Sequence, residues 1–577
     1  MAPRALVGES EIETVAVSRR LGAPRWLWLA AAIVLAAAAL QARFGASGDV
    51  AWMITLNEKW LDGQTPYVDF IETNPPASIL LYMPAVALAR WLGAPPEAVV
   101  AAYGLVAACV ALAFAAAIAR RAGLLGGAGS LSLGLALAAL VVLPGRTLAE
   151  RDFFAALAGL PYLAVCAARA ARAPVGAGAA LLSGLGAGAM VAVKPPYALV
   201  LLAAAPSLMR RGGAAALLRA NEHYAATALV VSYAAWTAWR FPVYGAEVLP
   251  AVAAAYLPVR EPTLRLVANA GVIVWIALAA ALASIAGRDL RKPLVASPAL
   301  GSLGALAAFF VQGKGWLYHA YPALAFLALA LAAALALRPP SPRRLVGAAC
   351  AAGATAAGAL LWRLPAIPCA IVAALAAAAA VVVAQRGPAQ PPRPLAAPLG
   401  EATAAALIAA AWALYCAPFT QPDAAFVRAV ADLGPRPRLA AVAEGLGIGF
   451  PLAREVGGVW VQRTQGMLLT AGARRLIAEN PGDRALAERL APIVARDRDM
   501  VAEDIRLNRP DGVLVSRVGP GFHAWAMNDA KLAAALADYR LQASSRAADW
   551  PVDLYVRKDA IRLRPTLSQA DDADASR

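Results

Sequence analysis

Of 577 residues, 61% are hydrophobic and only 15% charged, with a mean hydropathy of +0.61, whereas a soluble globular chain carries about 25% charge and 45–50% apolar residues. That balance excludes a soluble enzyme. The formal net charge of +16 is also unevenly placed: 22 basic and 20 acidic residues follow Pro418, so nearly all of the excess sits in short loops between apolar runs, which marks topology determinants and not nucleic-acid binding.

The stretch to Arg25 is polar and mixed in charge. Glu9, Glu11 and Glu13 are out of place in a signal-peptide n-region and many apolar runs follow, so it reads as a cytoplasmic tail before a retained first span. A spanning helix needs about 20 mostly apolar residues. By that ruler candidate spans fall near 26–43, 97–118, 127–144, 153–170, 178–193, 196–209, 224–240, 265–286, 294–311, 316–337, 344–362, 365–385 and 400–418, about 13 in all. The runs flanking Lys194-Pro195-Pro196 are short enough to form one broken helix.

A cytoplasmic N-terminus places the basic clusters at Arg120-Arg121, Arg169 and Arg172, Arg210-Arg211 with Arg219, Arg288 to Lys292, Arg338 to Arg344, Arg386 and Arg393 on one side, as the positive-inside rule requires. The odd number of spans then sends the tail after Phe419 to the outer face. Ala77 to Gly93 is apolar enough to span, but counting it would move every later cluster outside. It is expected to lie along the outer surface, which leaves a first outer loop over 45–97.

The tail alternates expected strands (Leu439–Ala443, Val459–Gln462, Gly512–Ser516, Val552–Val556) with helical stretches over Arg474–Arg506 and Ala530–Tyr539. The fold class expected is therefore an all-α polytopic membrane domain over 26–418, an extracytoplasmic α/β domain over 419–567, and a disordered end over 568–577. Gly184 and Gly188 have the spacing of closely packed helices. Cys109, Cys166, Cys350, Cys369 and Cys416 all lie in or beside apolar runs and form no disulfide framework or metal knuckle.

Charged residues at membrane depth are costly and mark function by default. On the outer face they are Asp49, Glu58, Lys59, Asp62, Asp69 and Glu72, then Arg146, Glu150, Arg151 and Asp152, then Lys194, then Arg240, Arg260, Glu261 and Arg265, and last Lys314 with His319. Each has a plainer reading beside the functional one. Asp49 can cap a helix, Asp62 before Gly63 is turn chemistry, and Arg151, Lys194, Arg43, Arg240 and Arg363 can snorkel to headgroups. Lys314 and His319 can anchor at the interface with Trp316 and Tyr318. His223 and His523 read as structural, Asp497-Arg498-Asp499 as a solvated helix surface, and Gly445-Leu446-Gly447-Ile448-Gly449 as an incomplete dinucleotide fingerprint.

The ordered series Gly48-Asp49, Trp52, Asp62-Gly63, Tyr67-Val68-Asp69-Phe70-Ile71-Glu72-Thr73-Asn74-Pro75-Pro76 resembles the polytopic glycosyltransferases of the GT-C superfamily, the group that includes the lipid A aminoarabinose transferase and the protein O-mannosyltransferases. Glu150-Arg151-Asp152 before Leu160-Pro161-Tyr162, Val193-Lys194-Pro195-Pro196, and Gln312-Gly313-Lys314-Gly315-Trp316-Leu317-Tyr318-His319 before Tyr321-Pro322 are similar to stretches of bacterial members. The resemblance covers residues 26–420. The first loop has no adjacent Asp-Glu pair and the chain no Trp-Trp-Asp motif, so neither peptide-directed activity is favoured.

The resemblance implies transfer of a sugar from a polyprenyl phosphate carrier to a glycan, glycolipid or lipid acceptor at the outer face of the inner membrane, with inversion. Chemistry asks for the same parts: a carboxylate base for the acceptor hydroxyl and fixed cations for the departing phosphate. Asp49 is the expected base, with Glu72 or Asp69 sharing the work. Arg151, Lys194, Arg260, Lys314 and His319 are expected to clamp phosphate, and Trp52, Tyr67, Asn74, Asp152, Gln312 and Tyr318 to position sugar or acceptor. No cofactor and no metal are expected, and a protein partner is conceivable only for the tail. A lipid-linked saccharide transporter and a non-catalytic assembly component are the rivals, though no internal repeat favours transport.

Overall fold

The computed structural model describes residues 23–125, 129–206, 219–337, 396–417, 422–519 and 521–559, with 215, 350, 352 and 355 besides. The expected spans at 344–362 and 365–385, the clusters Arg210-Arg211, Arg338 to Arg344, Arg386 and Arg393, Arg363, Cys369, most of the N-terminal tail and the C-terminal stretch 568–577 lie outside the described residues. The chain divides into two compact units. One comprises residues 1–45, 98–233 and 261–417, the other 46–97, 234–260 and 418–577.

The first unit is helical among the described residues. Six helices are long and apolar enough to cross a membrane: Trp26–Phe44, Pro96–Arg121, Arg151–Ala170, Ala270–Arg291, Pro293–Gln312 and Leu317–Leu337. Ser132–Val141, Ala177–Val193, Pro195–Pro206 and Glu401–Cys416 are apolar but shorter. This is a multi-pass membrane protein, with fewer full-length spans among the described residues than the 13 expected. The expected span at 224–240 is a helix, Asn221–Arg240, that falls short in apolarity. Its first turn carries Glu222, fully buried and held by two hydrogen bonds from Arg169 at 2.6 and 2.8 Å.

Alanine supplies helix propensity here, and glycine supplies close approach. A Cβ at Gly184 would stand 2.2 Å from the Glu222 carbonyl oxygen, and one at Gly188 2.8 Å from that of Ala226. Helix Ala177–Val193 ends at Lys194, whose backbone turns extended at φ −145°, ψ 98°. Pro195 and Pro196 then lack the N–H groups that would continue the ladder, and a single 3-10 turn over Pro195–Tyr197 follows.

In the second unit the segment expected as the first outer loop opens with helix Gly48–Leu61. The segment expected to lie along the surface is two helices, Pro76–Leu80 and Met83–Leu92, in place of the single one expected, because the run is interrupted at Leu81-Tyr82 ahead of Pro84. Leu88, Leu92 and Trp91, the last 80% exposed, form an apolar outer edge suited to an interface.

The tail folds as a five-stranded sheet of order β2-β1-β3-β5-β4. Strands β1 (Arg438–Val442), β2 (Val459–Trp460) and β3 (Gly512–Ser516) are parallel, with Leu439 opposite Gly512 and Val442 opposite Val515. Strands β4 (Tyr539–Ser544) and β5 (Val552–Arg557) complete it in antiparallel fashion. Four of the five match expectation. Strand β4 begins at Tyr539, where a helix was expected to end, because helix Ala530–Leu536 stops early. The expected helix Arg474–Arg506 is two, Leu468–Glu479 and Arg484–Asn508, separated at Pro481-Gly482. Val442, Val513, Val515, Ile505 and Leu532 form the core between sheet and helices.

Candidate functional site

In the first unit, Arg151 and Asp152 open helix Arg151–Ala170 after the left-handed Ala149 (φ 66°) and the N-cap Glu150, and both are buried. Lys194 reaches Asp152 from the broken end of the neighbouring helix, Nζ to Oδ2 at 2.6 Å, and also donates to Gln312 Oε1 at 3.3 Å. The Tyr197 hydroxyl donates to the second Asp152 oxygen. Lys194 Nζ stands 5.3 Å from the centre of the Tyr318 ring, and the Tyr318 ring meets His319 edge-on at 4.5 Å. His319 is buried within the electrostatic reach of Lys194, Arg151 and Lys314. Four of the five expected phosphate-binding residues therefore converge, together with Asp152, Gln312 and Tyr318.

The cluster carries more positive charge than Asp152 cancels. Such a set, held out of bulk water, favours a multiply charged anion. Tyr197 is the residue that sequence reasoning missed. Its signal was the Pro-Pro pair before it, which forces a tight turn and returns the next side chain toward the Lys194 end.

The second unit holds the carboxylates. Asp49 lies in the first turn of helix Gly48–Leu61 and is half-buried, but Ser47 is the N-cap, its hydroxyl accepting from Val50 N. Capping therefore does not explain Asp49. Glu72 is almost fully buried. Its Oε2 accepts from the Trp52 indole at 2.6 Å, and its Oε1 from Asn74 N at 2.8 Å, Asn74 Nδ2 and Thr73 Oγ1. It ties the loop to the helix. Tyr67, strained at φ 65°, donates to the Asn74 carbonyl at 2.8 Å and packs on Phe241 and Tyr244. Asp69 is exposed and accepts from Thr65 N at 2.7 Å within its own turn. Asp62 pairs with Arg90 at 2.7 Å just before Gly63 (φ 91°). Arg260 also belongs to this unit and is exposed.

Lys59, on the same helix as Asp49, donates to the Gln462 carbonyl at 2.8 Å. Burial pushes its ammonium down to about 8, with Asp504 and Asp69 opposing the shift. A cavity of about 850 Å³ borders the loop at Tyr67, Val68 and Ile71 and reaches Arg463 and Met500 of the tail. Asp497 is not the solvated surface residue expected. It is buried, accepts from Thr470 N at 3.0 Å and Oγ1 at 2.7 Å, and burial pushes its carboxyl up to about 6. Asp499 faces the other way, toward Lys531 at 2.7 Å, as residues two apart on a helix must. No group of three or more metal-ligating side chains gathers among the described residues.

No family model matches the chain, and no curated protein sequence matches it. Solved structures do. ArnT from Cupriavidus metallidurans in the apo state is similar with a TM-score of 0.55 at 16% identity, over 93% of this chain and 99% of that one. ArnT from the same organism bound to undecaprenyl phosphate gives a TM-score of 0.55 at 14% identity, over 92% and 98%. At such identities the likeness is one of fold, and over nearly its whole length this chain shares the fold of ArnT.

Proposed function

We propose that the protein is an inverting membrane glycosyltransferase that moves a sugar from a polyprenyl phosphate carrier to a glycan, glycolipid or lipid acceptor at the outer face of the inner membrane. The observation that carries this reading is the convergence of buried Arg151, Lys194 and His319 with half-buried Lys314, where Lys194 is paired with the buried Asp152 carboxylate. The fold shared with a protein solved bound to undecaprenyl phosphate supports a lipid phosphate as the anion.

In this mechanism the cations hold the carrier phosphate and stabilise the negative charge that grows on it as the anomeric C–O bond breaks. Asp152, Tyr197 and Gln312 fix the Lys194 ammonium so that little reorganisation is needed. Asp49 takes the proton of the acceptor hydroxyl as that oxygen attacks the anomeric carbon from the face opposite the phosphate. Glu72, with both oxygens engaged, holds Trp52 and Asn74 in place and leaves the base role to Asp49. The cleft beside Tyr67 and Ile71 admits the acceptor.

The test is to incubate the purified protein with a panel of polyprenyl-phospho-sugars and an envelope lipid extract, and to follow bare polyprenyl phosphate by mass spectrometry. Release from one donor class is expected. Intact donors throughout, with movement of labelled donor across proteoliposomes, would replace transfer by transport.

A further inference from the structure

The tail is built onto the helix that carries Asp49, and all of this contact lies within the second unit. Gly48, Trp52, Thr55 and Lys59 recur at i, i+4, i+7 and i+11 on helix Gly48–Leu61, the spacing of one helix face, and each of them meets the tail. A Cβ at Gly48 would stand 3.0 Å from the Phe450 carbonyl oxygen. The Trp52 ring packs on Phe450 at 5.3 Å, and Phe450 in turn packs on Trp460 of β2 at 4.9 Å. Thr55 accepts from Arg454 Nη1 at 3.2 Å, and Lys59 donates to the Gln462 carbonyl at 2.8 Å. Farther along, Ile71 N donates to the Arg463 carbonyl at 2.8 Å.

Arg454 makes the strongest of these contacts. It extends from the short helix Leu452–Glu455, and its guanidinium, 15% exposed, grips Glu58 with two hydrogen bonds, Nη1 to Oε2 at 2.6 Å and Nη2 to Oε1 at 3.0 Å. Its Nε donates to Glu97, so one side chain joins the helix, the end of the segment 46–97 and the tail. A forked, charge-assisted pair fixes direction as well as distance, which a lysine in its place would not do. The segment around Arg454 is itself tied to the sheet. Val459 and Trp460 pair with Arg438 and Leu439 of β1, and the Trp550 indole donates to the Gly447 carbonyl at 2.8 Å.

Asp49 follows Gly48 and therefore sits about 100° around the helix axis from the held face. A helix gripped along one face cannot roll. A roll of ~20° would carry a carboxylate about 6 Å from the axis through ~2 Å, and a misplacement of about 1 Å costs a catalytic group ~10²-fold. We propose that Arg454 is a positioning residue for sugar transfer: by gripping Glu58 and Thr55 it sets the rotation of helix Gly48–Leu61 and with it the direction of the Asp49 carboxylate. This rests on the reading of Asp49 as the base. The tail is thereby part of the apparatus that aims the base.

The test uses the full chain in lipid nanodiscs, as Arg454→Met, Arg454→Lys and Glu58→Gln, each also combined with Asp49→Asn. Carrier release in Arg454→Met is expected to slow at least ~10-fold with donor binding within about threefold of wild type, and Arg454→Lys is expected to recover part of the rate. In the Asp49→Asn background the same change is expected to slow release no further, because residues acting through one group are not additive. Deuterium uptake over residues 48–61 is expected to rise in Arg454→Met while β1 and β3 stay protected. Glu58→Gln, which is isosteric and leaves Arg454 its bond to Glu97, is expected to show the same changes and carries the test if Arg454→Met loosens the sheet. Unchanged uptake over 48–61, loss of donor binding, or equal slowing with and without the Asp49 carboxylate would overturn the proposal. A wild-type rate in Asp49→Asn alone is instead failure of the base reading, so the two failures are distinguishable.

Discussion

At the scale of single residues, the Lys194–Asp152 pair joins structure and chemistry. Removing one partner of a buried ion pair leaves the other charge desolvated, which costs about 3–5 kcal/mol. Lys194→Met is expected to lower stability by that order in a thermal or denaturant unfolding experiment. The double variant Lys194→Met/Asp152→Asn is expected to recover most of the stability while still failing to bind the carrier phosphate; recovery of both would make Lys194 a structural cation only. The sequence revealed Arg151, Asp152, Lys194, Lys314 and His319 because charge in an apolar run is conspicuous. It hid Tyr197, since the Pro-Pro pair before it marks a turn but not which partner the next side chain meets, and it hid the engagement of Glu72, which depends on Trp52 arriving from 20 positions earlier.

Between elements, two contacts set how helices meet. Gly184 packs against the Glu222 carbonyl with no room for a side chain, so Gly184→Val is expected to destabilise the helix pair by about 1–3 kcal/mol, read as a lowered melting temperature in detergent. In the tail, Asp497 joins helix Arg484–Asn508 to the start of helix Leu468–Glu479 through Thr470. Its folded carboxyl holds a proton up to about pH 6 where an unfolded one loses it near 3.8, so the folded state binds the extra proton. Stability is therefore expected to rise as pH falls from about 6 to about 4, by up to about 3 kcal/mol at ~1.4 kcal/mol per pH unit. Asp497→Asn should flatten that slope in pH-dependent unfolding, and an unaltered slope would place the titration elsewhere. Four strands were legible because short β-branched runs stand between turn residues. Strand β4, Tyr-Arg-Leu-Gln-Ala-Ser, has the exposed, mixed pattern of an edge, and its hydrophobic period gives no signal against the helix before it.

For the whole molecule, apolar runs reveal the membrane domain more readily than they reveal its span count. Helices such as Ala177–Val193 and Pro195–Pro206 are shorter than a bilayer, and a hydropathy ruler cannot tell a short run that breaks at a functional lysine from a complete span. The inverting mechanism makes a stereochemical prediction of its own: the anomeric configuration of the product, read by NMR coupling constants, should be opposite to that of the donor, and retention would require a covalent intermediate. The central claim is the division of labour between Asp49 and the cations Arg151, Lys194 and Lys314. It is tested most directly by measuring donor binding and carrier release together in wild type, Asp49→Asn and Lys314→Ala. Asp49→Asn should bind the polyprenyl-phospho-sugar within about threefold of wild type yet release carrier at least ~10²-fold more slowly, whereas Lys314→Ala should lose binding itself; an Asp49→Asn protein that transfers sugar at the wild-type rate would contradict the account.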